Sequence, residues 1–365
     1  MIPIAKPLIG KEEIKNVVAA LKSGSIAQGP KVKEFEAKFA EYCGVKRAVA
    51  VNSGTAALNV ALLAHGIKPG DEVICPSFTF IATANSVLYC NATPVFADVR
   101  EDSFNIDVED VKRKITSKTK AIIPVHLYGQ PADMKELMEI SRERNIAVIE
   151  DACQSHSAEY GGKKVGNIAT GCFSFYPTKN MATGEGGMIT TNDEKIADLS
   201  EVFRSHGSRK RYYHEVLGYN YRMTDINAAI GLAQLAKLDG FNKKMIANAE
   251  YLSRKLGKVK GVVVPKTLEN RTHVYHQYTI KITEEFGKNR DEVIAKLTEK
   301  GVGTGIYYPL PIHQQELYKN LGYNVTLPVT EKVCKQVISL PVHPAVKKKD
   351  LSFIVKAFKE IKNNN

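Results

Sequence analysis

Ala48-Val49-Ala50-Val51-Asn52-Ser53-Gly54-Thr55-Ala56-Ala57-Leu58 passes from a short apolar run, through a polar and glycine-bearing turn, into a second apolar stretch that Gly66 closes. Four apolar residues followed by such a turn predict a buried strand, and residues 56–65 have the length and the closing glycine of a helix. A strand that leads directly into a helix is the unit of an α/β fold. At that junction the first helical amides lack partners and the helix dipole favours an anion, so Gly54 and Thr55 could hold a phosphate. The same residues also suit an ordinary N-cap, with Ser53 or Thr55 bonding the helix start.

The pattern repeats on both sides. Short apolar strands are expected at residues 72–75, 94–97, 121–124 and 147–150, with helices at 82–89, 108–115 and 134–144 between them. Such alternation predicts a mainly parallel sheet covered by helices. Ahead of it, residues 12–21 and 33–42 read as helices stopped at Gly24 and Gly44. Beyond Thr224 the texture changes: a helical stretch through Ala228 and Leu238, then Asp239-Gly240, then another helix through Leu256. The tail carries a strand-like 277–282, a helix at 290–300, a strand near 304–307, a last helix at 350–361 and a polar Asn363-Asn364-Asn365 end. We therefore expect a large α/β domain over residues 1–240 and a smaller α+β domain over 241–365, with the N-terminal helices packing with the latter.

Composition narrows the function without choosing it. The chain has 365 residues, 44% of them hydrophobic, enough for more than one ordinary core. No apolar run is long enough to span a bilayer, and the opening Met1-Ile2-Pro3-Ile4-Ala5-Lys6-Pro7 lacks the basic-then-apolar pattern of a signal peptide, so a soluble cytoplasmic protein is expected. Six cysteines without a C-x-x-C pair argue for reduced core thiols over a disulfide framework or structural zinc. The net charge of +12 is spread among 39 acidic residues, and neither a basic arm nor a helix-turn-helix supports a nucleic-acid regulator. A positive field suits a phosphate-bearing small molecule equally well. His126, His156 and His313 show no ligand spacing, and no metal is expected.

Phe173-Ser174-Phe175-Tyr176-Pro177-Thr178-Lys179-Asn180 places an amine just past a short apolar strand, with Gly184-Glu185-Gly186-Gly187 leaving room beyond. A partly desolvated lysine there would lose basicity and gain nucleophilicity, the requirements for forming an imine. Asp151 ends the strand at 147–150, at the edge where α/β proteins bind ligands. Its carboxylate could bond a protonated ring nitrogen, and Gln154 follows closely enough to meet the same ligand. Phe78 and Phe80, in Pro76-Ser77-Phe78-Thr79-Phe80, could offer an aromatic face. A phosphate cradle, an acid for a pyridinium, an aromatic plate and an imine-forming lysine together describe a pyridoxal 5′-phosphate site.

With these motifs, and with Pro124-Val125-His126-Leu127-Tyr128-Gly129, Gly218-Tyr219-Asn220-Tyr221-Arg222-Met223 and Tyr308-Pro309-Leu310-Pro311-Ile312-His313, the chain resembles the DegT/DnrJ/EryC1/StrS family of sugar aminotransferases over essentially its whole length. The resemblance implies aminotransferase fold type I. It also implies that Lys179 carries the cofactor through an imine, Asp151 bonds the ring nitrogen, Gln154 approaches the ring hydroxyl, and Phe80 stacks on the ring. Gly54, Thr55 and Ser174 would bind the phosphate, with Asn220 reaching it from the other subunit of a homodimer. Arg222, Tyr308 and His313 are carried over as substrate-pocket residues. Tyr307 departs from the pattern, since many relatives have histidine before the Tyr-Pro pair. The expected reaction is transfer of an amino group from glutamate to a nucleotide-linked keto-sugar, giving an amino sugar for glycan synthesis. Pro124 to Gln130 resembles versions that act at C3 of a UDP-linked 3-oxo sugar; transfer to C4 of a 4-keto-6-deoxy sugar is the alternative. A sugar dehydratase is disfavoured because such relatives carry histidine where this chain has Lys179.

Overall fold

In the computed structural model, residues 1–363 are described; Asn364 and Asn365 of the expected polar tail lie outside them. Seven strands form the main sheet: β1 (Arg47–Val51), β2 (Glu72–Pro76), β3 (Thr93–Ala97), β4 (Thr119–Ile122), β5 (Ala147–Asp151), β8 (Thr170–Ser174) and β9 (Gly187–Thr191). A two-residue hairpin, β6 (Glu159–Tyr160) with β7 (Lys163–Lys164), lies apart. The sheet order is β1-β9-β8-β5-β4-β2-β3. Strands β3, β2, β4, β5 and β8 run parallel, and only β9 runs against its neighbours. The mainly parallel α/β sheet expected from the alternation is therefore present.

Period-two alternation explains how both faces are covered. In β1, Val49 and Val51 join one apolar cluster with Leu58 and Leu62 of the helix Gly54–Ala64, while Ala48 and Ala50 face a second cluster. In β8, Cys172 belongs to the first and Phe173 to the second. The second cluster is knit by aromatic rings: Phe39 sits 5.1 Å from Phe173 and 5.5 Å from Phe175, and Phe35 lies 5.3 Å from Phe175. Each such pair contributes about 0.5–1.5 kcal/mol beyond its burial.

A separate core holds the C-terminal part. There β10 (Val262–Val263), β11 (Tyr278–Ile282) and β12 (Val337–Leu340) form an antiparallel sheet in that order. It packs with the helices Leu238–Leu256, Arg290–Glu299 and Lys348–Asn363 through Leu252, Tyr278, Phe286, Leu297 and Phe358. The strand expected near 304–307 is only a single bridge, from Gly305 to Ser339 on the side of β12 away from β11.

The N-terminal helices, Lys11–Ser23 and Pro30–Cys43, do not pack with the smaller core as expected. Both lie against the helix Asp225–Leu235. Asp225 explains part of this, since its carboxylate accepts hydrogen bonds from the Gly29, Lys31 and Val32 amides at 2.8–3.2 Å and so caps a helix remote in sequence. Only the first residues reach the smaller core, where Ile2 bridges to Val302. Among the described residues, no helix is long and apolar enough to cross a membrane.

Candidate active site

The C-terminal ends of β1, β5 and β8 and the segment following β2 meet at one edge of the sheet, around a cleft of about 380 Å³. Gly54, Thr55, Phe80, Asp151, Gln154, Ser174, Lys179 and Tyr308 all line it. That is where open α/β sheets place their ligands. A larger, more open groove of about 790 Å³ lies elsewhere, near the opposite strand ends at Lys120, Ala147 and Thr170. It gathers none of the expected residues, and its histidine, His65, is already bonded to Thr170 at 2.9 Å.

At the helix start, Ser53 caps by accepting from the Ala56 amide at 3.0 Å. The capping reading and the anion reading thus apply to different atoms, because helical geometry still gives the Gly54 and Thr55 amides no partner of their own. Gly54 is needed for space. A Cβ there would lie 2.7 Å from Ser174 Cβ and 3.0 Å from Cys153 Sγ, so only glycine lets this turn approach the end of β8. Gly187 does the same on the next strand, where a Cβ would meet the Ser53 carbonyl at 2.3 Å.

Asp151 is buried at the end of β5. Its carboxylate accepts from the Thr83 hydroxyl at 2.8 Å and from the Cys153 amide at 3.2 Å. Gln154 is held by accepting from the Tyr128 amide at 2.9 Å, while its own amide donates to the Tyr308 hydroxyl at 3.3 Å. Phe80 is 56% exposed, an unusual state for a phenylalanine, and its ring sits 6.2 Å from that of Tyr308 across the mouth.

Lys179 follows β8 after Pro177. Burial pushes its amine below the ordinary lysine range, against the opposing pull of Cys153 and Asp151. Among the described residues, no carboxylate forms an ion pair with it. Nearby, burial and the proximity of Lys179 keep His276 uncharged. The same two influences push His156 down to about 3, against a weaker pull from the Ser174 backbone. An amine that is desolvated, unpaired and flanked by neutral rings is poised as a nucleophile and base.

Three expected residues are not in this cleft. His313 is only 3% exposed, accepts or donates with the Ser77 hydroxyl at 2.8 Å, and lies beside Phe96, so it serves the core where a substrate contact was expected. Its neighbour Ile312 joins the apolar cluster beneath the sheet, which draws the histidine inward. Arg222 bridges Val51 through its backbone, and Asn220 is exposed on the preceding turn, accepting through its carbonyl from Asn52 at 3.4 Å. Conversely, Thr83, Cys153, Tyr176, Glu185, His276 and Gln277 line the cleft without having been singled out. Cys153 alone had a usable signal, its place between Asp151 and Gln154.

Pyridoxal phosphate fits this donor set. The glycine-lined helix start suits a phosphate, the buried carboxylate a protonated ring nitrogen, the exposed phenylalanine a ring face, and the free amine an aldehyde. Fold and site together define a fold type I, pyridoxal-phosphate-dependent aminotransferase.

Comparison with known proteins specifies the group. The family profile described as the DegT/DnrJ/EryC1/StrS aminotransferase family matches residues 7–359, and the chain belongs to that family. It is 43% identical to a pleiotropic regulatory protein of Geobacillus stearothermophilus, over 96% of this chain and 94% of that one. It is 40% identical to the GDP-perosamine synthase of Caulobacter vibrioides, over 99% and 98%. The solved structure of S. venezuelae DesV superposes with a TM-score of 0.94 at 36% identity, covering 100% of both chains.

Proposed function

We propose that the protein transfers the amino group of glutamate to a nucleotide-linked keto-sugar, working as a homodimer in the cytoplasm. The observation that carries this reading is the Lys179 amine, desolvated and without an ion-pair partner, in the same cleft as the buried Asp151 carboxylate. When bound, pyridoxal phosphate supplies an electron sink that makes the donor Cα–H acidic.

The chain's own residues do the rest. Lys179 would hold the aldehyde carbon of the cofactor and, as a free amine, would move the proton taken from the donor carbon at its Nζ. Asp151 keeps a proton on the ring nitrogen, and Thr83 fixes that carboxylate. Gly54, Thr55 and Ser174 would hold the phosphate, while Phe80 would cover a ring face and Gln154 would meet the ring hydroxyl. Tyr308 borders the substrate side. Asn220 and Arg222, outside this chain's cleft, are assigned to the cleft of a second copy. Tyr212, Tyr213 and Leu217, all strongly exposed on the segment leading to Asn220, support a dimer that covers them. All six cysteines are free thiols, which fits a reducing compartment.

Relatives named for GDP-, dTDP- and UDP-linked sugars match the chain at 38–40% identity, which supports a nucleotide-linked sugar as the substrate class. Within the class we favour C3 of a UDP-linked 3-oxo sugar, on the resemblance of residues 124–130; C4 of a 4-keto-6-deoxy sugar is the alternative. Borohydride reduction followed by peptide mapping tests the site, with the label expected on Lys179. A screen with glutamate against UDP-, dTDP- and GDP-linked 3-keto and 4-keto sugars tests the substrate. Amination confined to 4-keto sugars would reject the C3 preference.

A further inference from the structure

Lys179 borders two cavities. Behind the cleft lies a smaller chamber of about 40 Å³, bounded by the N-terminal segment 4–8 and by Lys179, Asn180, His276, Gln277 and His343. His276, Gln277 and Lys179 line both spaces. Lys6 and Pro7, both exposed on the N-terminal segment, also line the chamber, which brings it to the surface there.

A water needs roughly 10–15 Å³ of such volume and two to four polar partners, so the chamber has room for about two or three. Its walls supply the partners. Among the described residues, Asn180 Oδ1, His276 Nδ1 and His343 Nδ1 are buried with no hydrogen-bond partner, on residues only 5%, 7% and 8% exposed. An unpartnered buried polar atom is destabilising, and a bridging water satisfies it. Two of the three are fixed as acceptors. The Asn180 amide nitrogen donates to Asn242 Oδ1 at 2.7 Å and to the Val274 carbonyl at 3.2 Å, leaving its oxygen free. His343 Nε2 lies 3.1 Å from the Pro3 carbonyl and must donate to it, leaving Nδ1 as a lone pair.

We propose that this chamber is an ordered-water site serving as a rear proton outlet for Lys179, with His276 at the junction between chamber and cleft. This rests on the reading of Lys179 as the proton carrier. With cofactor and sugar filling the front, a rear chamber of ordered water gives the amine a second route for proton exchange with solvent. In the outward direction an Nζ–H bond of the ammonium breaks and an O–H bond forms on a chamber water. That water releases another of its protons along the chain to bulk solvent near Lys6. Nothing is oxidised or reduced, and the return path reverses each transfer.

The first test needs no cofactor. A high-resolution crystal structure of the cofactor-free protein is expected to show ordered waters bonded to Asn180 Oδ1 and His343 Nδ1, and a dry chamber overturns the proposal. The second test uses 2-deuterioglutamate with the holoenzyme and measures loss of deuterium to water relative to amino transfer. His276 holds the junction water through its unpartnered Nδ1, so in His276→Phe this ratio is expected to fall by roughly a hundredfold, the low end of what a positioned proton-transfer step contributes. Gln277→Met, close in shape to the native side chain, should lower the ratio in the same direction if His276→Phe fails to fold. An unchanged ratio in the folded variant overturns the outlet. Failure of borohydride to label Lys179 would instead sink the underlying assignment, whatever the waters show.

Discussion

Glu150 lies on β5 and Lys179 in the turn beyond the neighbouring β8, and the protein treats them in opposite ways. Glu150 is wholly buried and saturated: it accepts from the Gly166, Ile168 and Ala169 amides at 2.7–3.1 Å and pairs with His126 Nε2 at 2.9 Å. His126 Nδ1 in turn accepts from the Ala132 amide at 3.1 Å, so the ring must donate to Glu150 through Nε2. Nothing in that network is free to react. Lys179, one strand over, is desolvated with no such partners. A saturated buried charge holds loops in place, whereas an unsaturated one keeps its reactivity for a ligand.

The sharpest way to break this contrast is Lys179→Ala. Turnover is expected to fall by at least about 10² to 10⁴, the contribution of a positioned base alone, with loss of the bound cofactor's visible absorbance. Thermal stability should hold or rise, since a desolvated amine is removed. Full-rate transfer by this variant would show that the unsaturated group is not the functional one.

Glu150→Ala probes the other side of the comparison. Removing one partner of a buried, hydrogen-bonded network leaves His126 and three amides unpaired, and the expected loss is about 3–5 kcal/mol in denaturant-induced unfolding. A loss below 1 kcal/mol would mean that the network contributes little to the fold.

Asp151→Asn falls between the two. Asp151 is buried like Glu150, yet Thr83 and the Cys153 amide leave it short of saturation. The neutral amide keeps the shape and loses the charged hydrogen bond to the ring nitrogen. That bond is worth about 1.5–3 kcal/mol, or roughly 10- to 100-fold in kcat. Cofactor should still bind. Unchanged kcat in a cofactor-loaded variant would remove Asp151 from the chemistry.

The same contrast explains what could be read from the sequence. Gly54, Asp151, Ser174 and Lys179 each sit where an apolar run meets a turn, so their place at the sheet edge follows from local pattern. Thr83 and His276 carry no such mark. Thr83 lies in the first turn of a short helix and reaches Asp151 only because β2 and β5 are brought to the same edge. His276 sits just before β11, in the smaller core, and meets Lys179 only through the packing of the two cores. His313 does not line this chain's cleft. Its motif placed it beside the substrate, but the neighbouring Ile312 draws the turn into the apolar cluster. The strand at β12 was missed because residues 337–340 lie close behind a helix and offer only four residues of signal.

The finest test concerns His156, which stands between the two regimes. It is buried against Phe173 and Phe175 at 5.5 and 5.7 Å, and among the described residues neither ring nitrogen has a side-chain hydrogen-bond partner. Its pKa is pushed from the ordinary 6.5 to about 3, first by burial and then by Lys179. Between those values the unfolded chain binds a proton that the folded one refuses, so this group makes stability fall as pH drops from about 6.5 towards 3. His156→Phe removes both the titration and the unpaired nitrogens while keeping an aromatic ring of similar size. Unfolding measured from pH 7 to pH 4 is expected to show a flatter acid limb, with stability at pH 7 equal to wild type or higher by up to about 1–3 kcal/mol. Destabilisation at pH 7 with an unchanged acid limb would place His156 with Glu150, as a residue whose polar atoms the fold needs.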